Sequence, residues 1–387
     1  MARAISSIDM IGRLVAFDTT SRASNLKLID FVRDYLDGYK VKSELVFDQT
    51  GTKANLFATI GPEDRGGLML SGHSDVVPVD GQDWASDPFT LAERGGLLYG
   101  RGAADMKSFI AVMLATVPAF LAARLATPVH LALTYDEEVG CLGVRRLIDM
   151  LAGRAEKPRL CVIGEPTLMQ PVIAHKGKKS LRCQVHGLES HSALAHAGVN
   201  AIEAAAEIVA EIRRQARAKR DAGPYDAGFT PPYTTIHTGT IAGGTALNIV
   251  PRECRFDFEI RYIPTDDPDA LYDAVRRHAE TLLPEMRRIG AGTGIDFEEF
   301  NAIPALNAAA DSEVVRLAQS LTGANSVGKV SFGTEGGLYQ QAGIATVICG
   351  PGSIEQAHRP DEFVAVDQVR QCEAFLERLI PRLEGRA

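Results

Sequence analysis

The chain predicts an α/β protein, a sheet with helices on both faces, interrupted by a compact α+β insert. Three observations carry this expectation. Over roughly the first 175 residues, apolar runs of strand length alternate with amphipathic stretches of helix length. Near Lys176 the pattern changes to strands of alternating character around two long helices, and after Asn301 the first pattern resumes. At 387 residues the chain is also too long for one small core, so two domains are expected. We therefore expect a discontinuous domain made of residues 1–176 and 303–387, with residues 177–302 inserted between its halves.

The elements follow in order. Ser7 to Phe17 and Asn25 to Tyr39 read as amphipathic helices, the second carrying Leu28, Phe31, Val32, Tyr35 and Leu36 on one stripe. Strands are expected at Leu56 to Ile60 and Leu68 to Leu70, a helix at Met106 to Arg124, and strands at Val129 to Tyr135 and Leu160 to Ile163. In the insert, Leu181, Cys183 and Val185 alternate along a strand that leads to Gly187 and a histidine-bearing loop. A helix from Val199 to about Lys219 comes next, then a Gly- and Pro-rich loop (Ala222 to Pro232) and a strand around Thr234 to Thr240. The turn Gly243-Gly244, a strand at Cys254 to Tyr262 and a helix at Asp267 to Arg288 complete a β-α-β-β-α-β-like, ferredoxin-like unit. A helix at Asp311 to Thr322, a strand at Ala345 to Cys349 and a helix from Asp367 to about Leu383 close the chain.

Composition narrows the function classes. The chain is 45% hydrophobic and 23% charged, ordinary values for a globular enzyme. A net charge of −8, spread along the chain, argues against nucleic acid or an anionic membrane as partner. The start of the chain has no apolar core leading to a cleavage site, so no signal peptide is read. The longest uncharged stretch, Ser108 to Ala123, is shorter than the ~20 residues a membrane span needs and contains Pro118. Six scattered cysteines without a C-x-x-C pair suit reduced core thiols and a cytoplasmic location.

The chemistry lies at the predicted strand ends. His73 follows the Leu68 strand and stands two residues before Asp75, a carboxylate of the kind that anchors a metal-bound imidazole; alone, it could equally cap the strand. Asp105 sits where a glycine-rich turn meets a helix, as an N-cap or as a carboxylate bridging two cations. Asp136-Glu137-Glu138 ends the next strand, and adjacent carboxylates repel unless cations, protons or solvent relieve them; a solvated acidic turn is the plain alternative. Glu165 repeats the theme after Leu160 to Gly164, and His358 follows the strand ending at Cys349. Two imidazoles and three carboxylates without a thiolate suit zinc, cobalt or manganese. Two divalent cations against Asp105, Glu138 and Glu165 leave one positive charge, which a hydroxide would balance.

With these stations in place, the chain resembles metallopeptidase family M20, the group of aminoacylase-1, the acetylornithine deacetylases and the succinyl-diaminopimelate desuccinylases. The likeness covers essentially the full length. It rests on Ser71-Gly72-His73-Ser74-Asp75-Val76-Val77-Pro78, on Gly100-Arg101-Gly102 through Asp105-Met106-Lys107, on Asp136-Glu137-Glu138, on Gly164-Glu165-Pro166-Thr167 and on His358. It implies a zinc-peptidase-like catalytic domain holding two divalent metal ions, zinc with cobalt also suited. Asp105 would bridge them, with His73 and Glu165 completing one site and Glu138 and His358 the other. Asp75 would orient His73, and Glu137 would be the general base. The insert would be a lid that also forms a homodimer. His191 would reach the partner subunit's active site to polarise the scissile carbonyl, and Asn248 and Arg261 would grip a substrate carboxylate. From the residues alone, His191 could be an ordinary loop histidine, Asn248 a turn residue and Arg261 a surface charge.

Within the family, Gly333-Thr334-Glu335-Gly336-Gly337 resembles the segment of acetylornithine deacetylases. Glu335 would then meet the terminal ammonium of ornithine; alternatively it caps a helix starting near Gly336. The leading expectation is a metal-dependent amide hydrolase that deacetylates N2-acetyl-L-ornithine with a metal-activated water, a step of arginine biosynthesis. The alternatives are a desuccinylase, another N-acyl amino acid deacylase or a dipeptidase. Outside the enzymes, a catalytically silent protein that binds amino acid derivatives is the rival; intact ligand positions and Glu137 speak against it.

Overall fold

The computed structural model describes residues 5–385. The chain divides into two compact units. The first comprises Met1–Ala174, Leu306–Lys329 and Thr334–Ala387; the second comprises His175–Ala305 and Val330–Gly333. The short outlier of the second unit is tied to it by side chain and main chain: Ser331 Oγ accepts from the Thr230 N–H (3.1 Å) and donates to the Thr230 carbonyl (2.7 Å).

The first unit is built on a nine-stranded mixed sheet flanked by helices. Four neighbouring strands at its centre run parallel, in the order Val129–Thr134, Leu68–His73, Leu160–Pro166, Ala345–Gly350. The first three are buried along their whole lengths, as parallel strands covered on both faces must be, and this is why they read as unbroken apolar runs. Lys107–Ala115 lies against this sheet with nearly every side chain buried. A Cβ added at Gly164 would meet the Phe109 ring at 1.8 Å, so the residue before Glu165 has to be glycine for helix and strand to pack. The long helix expected at Met106 to Arg124 is two, Lys107–Ala115 and Val117–Ala122, with Pro118 in the first turn of the second. A small three-stranded sheet joins Phe363–Ala365 to Leu97–Tyr99 and Ala92–Arg94, with Phe363 opposite Tyr99. It brings the end of the chain beside the turn that carries Asp105.

The second unit has the order strand Gly177–His186, helix Ala201–Ala222, strands Thr235–Gly243 and Glu253–Tyr262, helix Pro268–Ile289 and strand Gly294–Ile303. All three strand pairings are antiparallel, with Glu253–Tyr262 and Gly177–His186 in the middle. Asn200 Oδ1 caps the first helix by accepting from Ile202 and Glu203, and Asp267 caps the second ahead of Pro268. Inward-facing Leu181, Cys183, Phe256 and Phe258 pack with Ile208 and Val275 of the helices. Among the described residues no helix is long and apolar enough to cross a membrane.

Candidate metal centre

The carboxyl ends of the four parallel strands carry the site, as is usual in open α/β sheets. His73 is the last residue of its strand, Asp136-Glu137-Glu138 follow Thr134 and Tyr135, Glu165 is the penultimate residue of the third strand, and His358 lies in the loop after Gly350. Ligand atoms of His73, Asp105 and Glu165 lie within 4.8 Å of one another, and so do those of Asp105, Glu138 and His358. Asp105 divides its oxygens between the groups. Oδ1 is 2.9 Å from His73 Nε2, and Oδ2 is 3.3 Å from His358 Nε2. Glu165 Oε1 stands 3.9 Å from His73 Nε2, and Glu138 Oε2 stands 3.1 Å from His358 Nε2.

The electrostatics fit a pair of cations. Burial pushes the Glu165 and Glu138 carboxyls up, Glu138 to about 6, and repulsion from Asp105 adds to it. His358 is raised to about 10 by its bonds to Asp105 and Glu138 against the cost of burial. His73 is raised as well, because burial is outweighed by its contacts with Asp105 and Asp75. Protons on the imidazoles would offset carboxylates that otherwise repel one another. Divalent cations would do the same, and Glu138 Oε1, fully buried and without a hydrogen-bond partner among the described residues, is a donor atom left over for one.

Asp75 meets His73 through both its main chain and its side chain. His73 Nδ1 lies 2.9 Å from the main-chain oxygen of Asp75 and 3.6 Å from its carboxylate. The carboxylate also accepts from Ser21 Oγ (2.7 Å), the Glu137 N–H (3.1 Å) and the Glu138 N–H (3.3 Å). It therefore pins the acidic loop to the His73 strand. Within that loop the three acids part company. Asp136, at φ +55°, takes a 2.5 Å bond from Lys53 Nζ. Glu138 belongs to the second ligand group, and Glu137 to neither. Glu137 Oε1 instead accepts a 3.5 Å bond from the buried Cys141 thiol. Its carboxyl is held well above the usual range, by burial first and then by Glu138 and Asp105, with His73 opposing.

The remaining expected residues sort differently. His191 and Asn248 lie on adjacent segments of the second unit: His191 bridges to Ile249, and the Ser192 N–H donates to the Asn248 carbonyl at 2.9 Å. Arg261, in strand Glu253–Tyr262, donates from Nε to Glu259 Oε1 at 2.8 Å. Glu335 stands at the N-cap of the helix Gly336–Gln341, 1% exposed, with its carbonyl accepting from Leu338 and Tyr339 and, among the described residues, no side-chain capping bond. Burial above all raises its carboxyl to about 7. Sequence reasoning missed Glu362, whose carboxylate accepts from the N–H groups of Gly102, Ala104 and Asp105. Its one signal was an acid four residues beyond His358, just ahead of the apolar Phe363-Val364.

Residues 69–382 match the family model described as peptidase family M20/M25/M40. The chain is 38% identical over 379 residues to an acetylornithine deacetylase of Myxococcus xanthus, covering 96% of each chain. Its fold is similar to that of aminopeptidase PepT from Bacillus cereus ATCC 10987, with a TM-score of 0.75 at 20% identity over 97% of this chain and 98% of that one. A dinuclear metal-binding M20-family peptidase from Bacillus subtilis superposes with a TM-score of 0.69 at 16% identity, over 98% and 99%.

Proposed function

The chain belongs to peptidase family M20/M25/M40, and from that premise we propose that it is a metal-dependent hydrolase removing the acetyl group of N2-acetyl-L-ornithine. The observation that carries this is a pair of ligand groups sharing Asp105, in a chain 38% identical over 379 residues to an acetylornithine deacetylase. His73, Asp105 and Glu165 would hold one divalent ion, and Asp105, Glu138 and His358 the other, with zinc or cobalt suited to these donors. Such ions, when bound, would polarise the acyl carbonyl and acidify water.

The chain's own groups do the rest. Asp75 fixes the Glu137 main chain, which leaves the Glu137 carboxyl free of both ligand groups to move a proton. Glu137 takes it from the attacking water and delivers it to the departing nitrogen as the C–N bond breaks, so that acetate and the free α-amine leave. In the second unit, His191 would stabilise the carbonyl oxygen, and Asn248 and Arg261 would hold the substrate carboxylate. We further propose a homodimer formed through that unit and a cytoplasmic site of action, to which six free, buried cysteines are suited. The test is a substrate panel run on chelator-stripped protein reconstituted with Zn2+ or Co2+. Acetylornithine should give the highest kcat/KM. Faster turnover of succinyl-diaminopimelate or Gly-X dipeptides would reassign the substrate, and full activity after exhaustive metal removal would end the metal reading.

A further inference from the structure

Asp105 and His358 lie more than 250 residues apart, and neither is held in place by its own element. Asp105 sits in a turn ahead of helix Lys107–Ala115, and His358 sits in a loop with its backbone in the left-handed region at φ +64°. A histidine persists there only when its surroundings hold it. The holding groups form one chain of contacts. Glu362, 1% exposed, accepts from Ala104 N (2.8 Å) and Asp105 N (3.0 Å) at Oε1, and from Gly102 N (3.1 Å) and Arg101 Nη1 (2.6 Å) at Oε2. Arg101, equally buried, lies over the Trp84 ring and donates from Nη2 to Gln82 Oε1 at 2.5 Å, an oxygen that also accepts from Trp84 Nε1 at 3.0 Å. Gln82 Nε2 in turn donates to the His358 carbonyl at 3.0 Å. The small sheet pairing Phe363 with Tyr99 sets Glu362 against this turn, through a 2.9 Å bond from Gly100 N to the Glu362 carbonyl.

We propose that Glu362, Arg101 and Gln82 are positioning residues that act unequally on the two ligand groups. Glu362 shapes the main chain of Asp105, which serves both groups. Gln82 fixes the main chain of His358, which serves only the second. The inference rests on the metal-hydrolase reading, and it separates two effects that a general loss of fold would not. Removing the Gln82 donor should loosen only the group of Asp105, Glu138 and His358. Disturbing the Glu362 acceptor should loosen both.

Chelator-stripped full-length protein titrated with Co2+ and followed by its visible spectrum reads this directly. Wild type should take up two equivalents. Gln82→Glu keeps the acceptor for Arg101 and Trp84 but loses the donor to His358, and Gln82→Ala loses both. In each, one equivalent should keep its affinity within about threefold while the other weakens about 10–100-fold, the range for supporting groups around metal ligands. The spectral component that weakens should be the one absent from His358→Ala. Glu362→Gln, which places an amide where an acceptor is needed, should weaken both equivalents by at least about tenfold. Thermal unfolding of each stripped variant checks that it is folded. Should Glu362→Gln not fold, the Gln82 variants, altered at a half-buried loop side chain, decide alone. Two wild-type equivalents with both affinities unchanged, or both equally weakened, in the Gln82 variants would overturn the clamp and leave the metal reading standing. No Co2+ uptake by wild type would sink both.

Discussion

Three adjacent acids meet three different partners, and that difference assigns their work. Asp136 is matched by Lys53, Glu138 faces His358, and the Glu137 carboxylate accepts from a thiol. The cluster was legible in the sequence as a strand-end triplet, but the division was not, because Lys53 is remote in sequence and the partings depend on Asp136 at φ +55°. We expect Glu137→Ala to lower kcat by about 10²–10⁴-fold with metal content near wild type. Unchanged turnover would remove Glu137 from proton transfer. A second expectation at this scale concerns acid. His130 is buried with its ring stacked on Phe57 at 5.3 Å, and burial first, then the Arg154 charge, lowers it to about 4. The unfolded chain binds this proton near pH 6.5 and the folded chain only near 4, so the folded state loses stability as pH falls through that window, by up to about 3 kcal/mol. His175, also lowered to about 4, chiefly by burial, adds its own share. Urea unfolding between pH 7 and 4.5 should show a shallower acid loss in His130→Gln than in wild type; identical slopes would exclude His130 as a source.

At the scale of elements, what the sequence made legible follows burial. The parallel strands are continuous apolar runs because both faces are covered, and the ligand stations follow from their ends. Strand Gly294–Ile303 went unread because an edge strand carrying Asp296, Glu298 and Glu299 has no apolar run. The three-residue strands that bring Glu362 to Asp105 are too short for any period to show. Helix Gly143–Ala152 lacks a start signal, since Leu142 stands at its N-cap and makes no side-chain capping bond. Its opening glycine has another duty. The loop that presents Glu137 and Glu138 closes with the Gly143 N–H on the Tyr135 carbonyl at 3.1 Å, and a Cβ at Gly143 would lie 2.2 Å from that oxygen. Main chain cannot move aside as a flexible side chain can. Gly143→Ala should therefore cost about 1–3 kcal/mol in urea unfolding and lower kcat as the loop shifts. Wild-type values for both would show that the closure tolerates a methyl group.

At the scale of the whole molecule, the two edges of the second unit's sheet differ in a way that bears on assembly. Unpaired strand edges invite association unless charge or cover blocks it. The Gly294–Ile303 edge carries Asp296, Glu298 and Glu299, and its exposed Phe300 (47%) lies under the Arg182 guanidinium, whereas the Thr235–Gly243 edge presents Ile241 (54% exposed) and leads into a turn with Leu247 wholly exposed. Single exposed apolar residues need no explanation, but two of them along and beyond one edge strand without Asp, Glu, Lys or Arg suit a second copy of this chain. Asn248 follows this turn and the His191 segment pairs beside it, so the role expected of His191 through a partner subunit would depend on the same assembly. We expect wild type to sediment as a dimer and the double variant Ile241→Asp, Leu247→Asp as a monomer that keeps its metal content. Glu298→Ala, on the opposite edge, should stay dimeric. A wild type that sediments as a monomer would end the assembly proposal. A monomeric double variant with full turnover would show that His191 does not act through a partner subunit, because a group supplied in trans is lost when the chains separate.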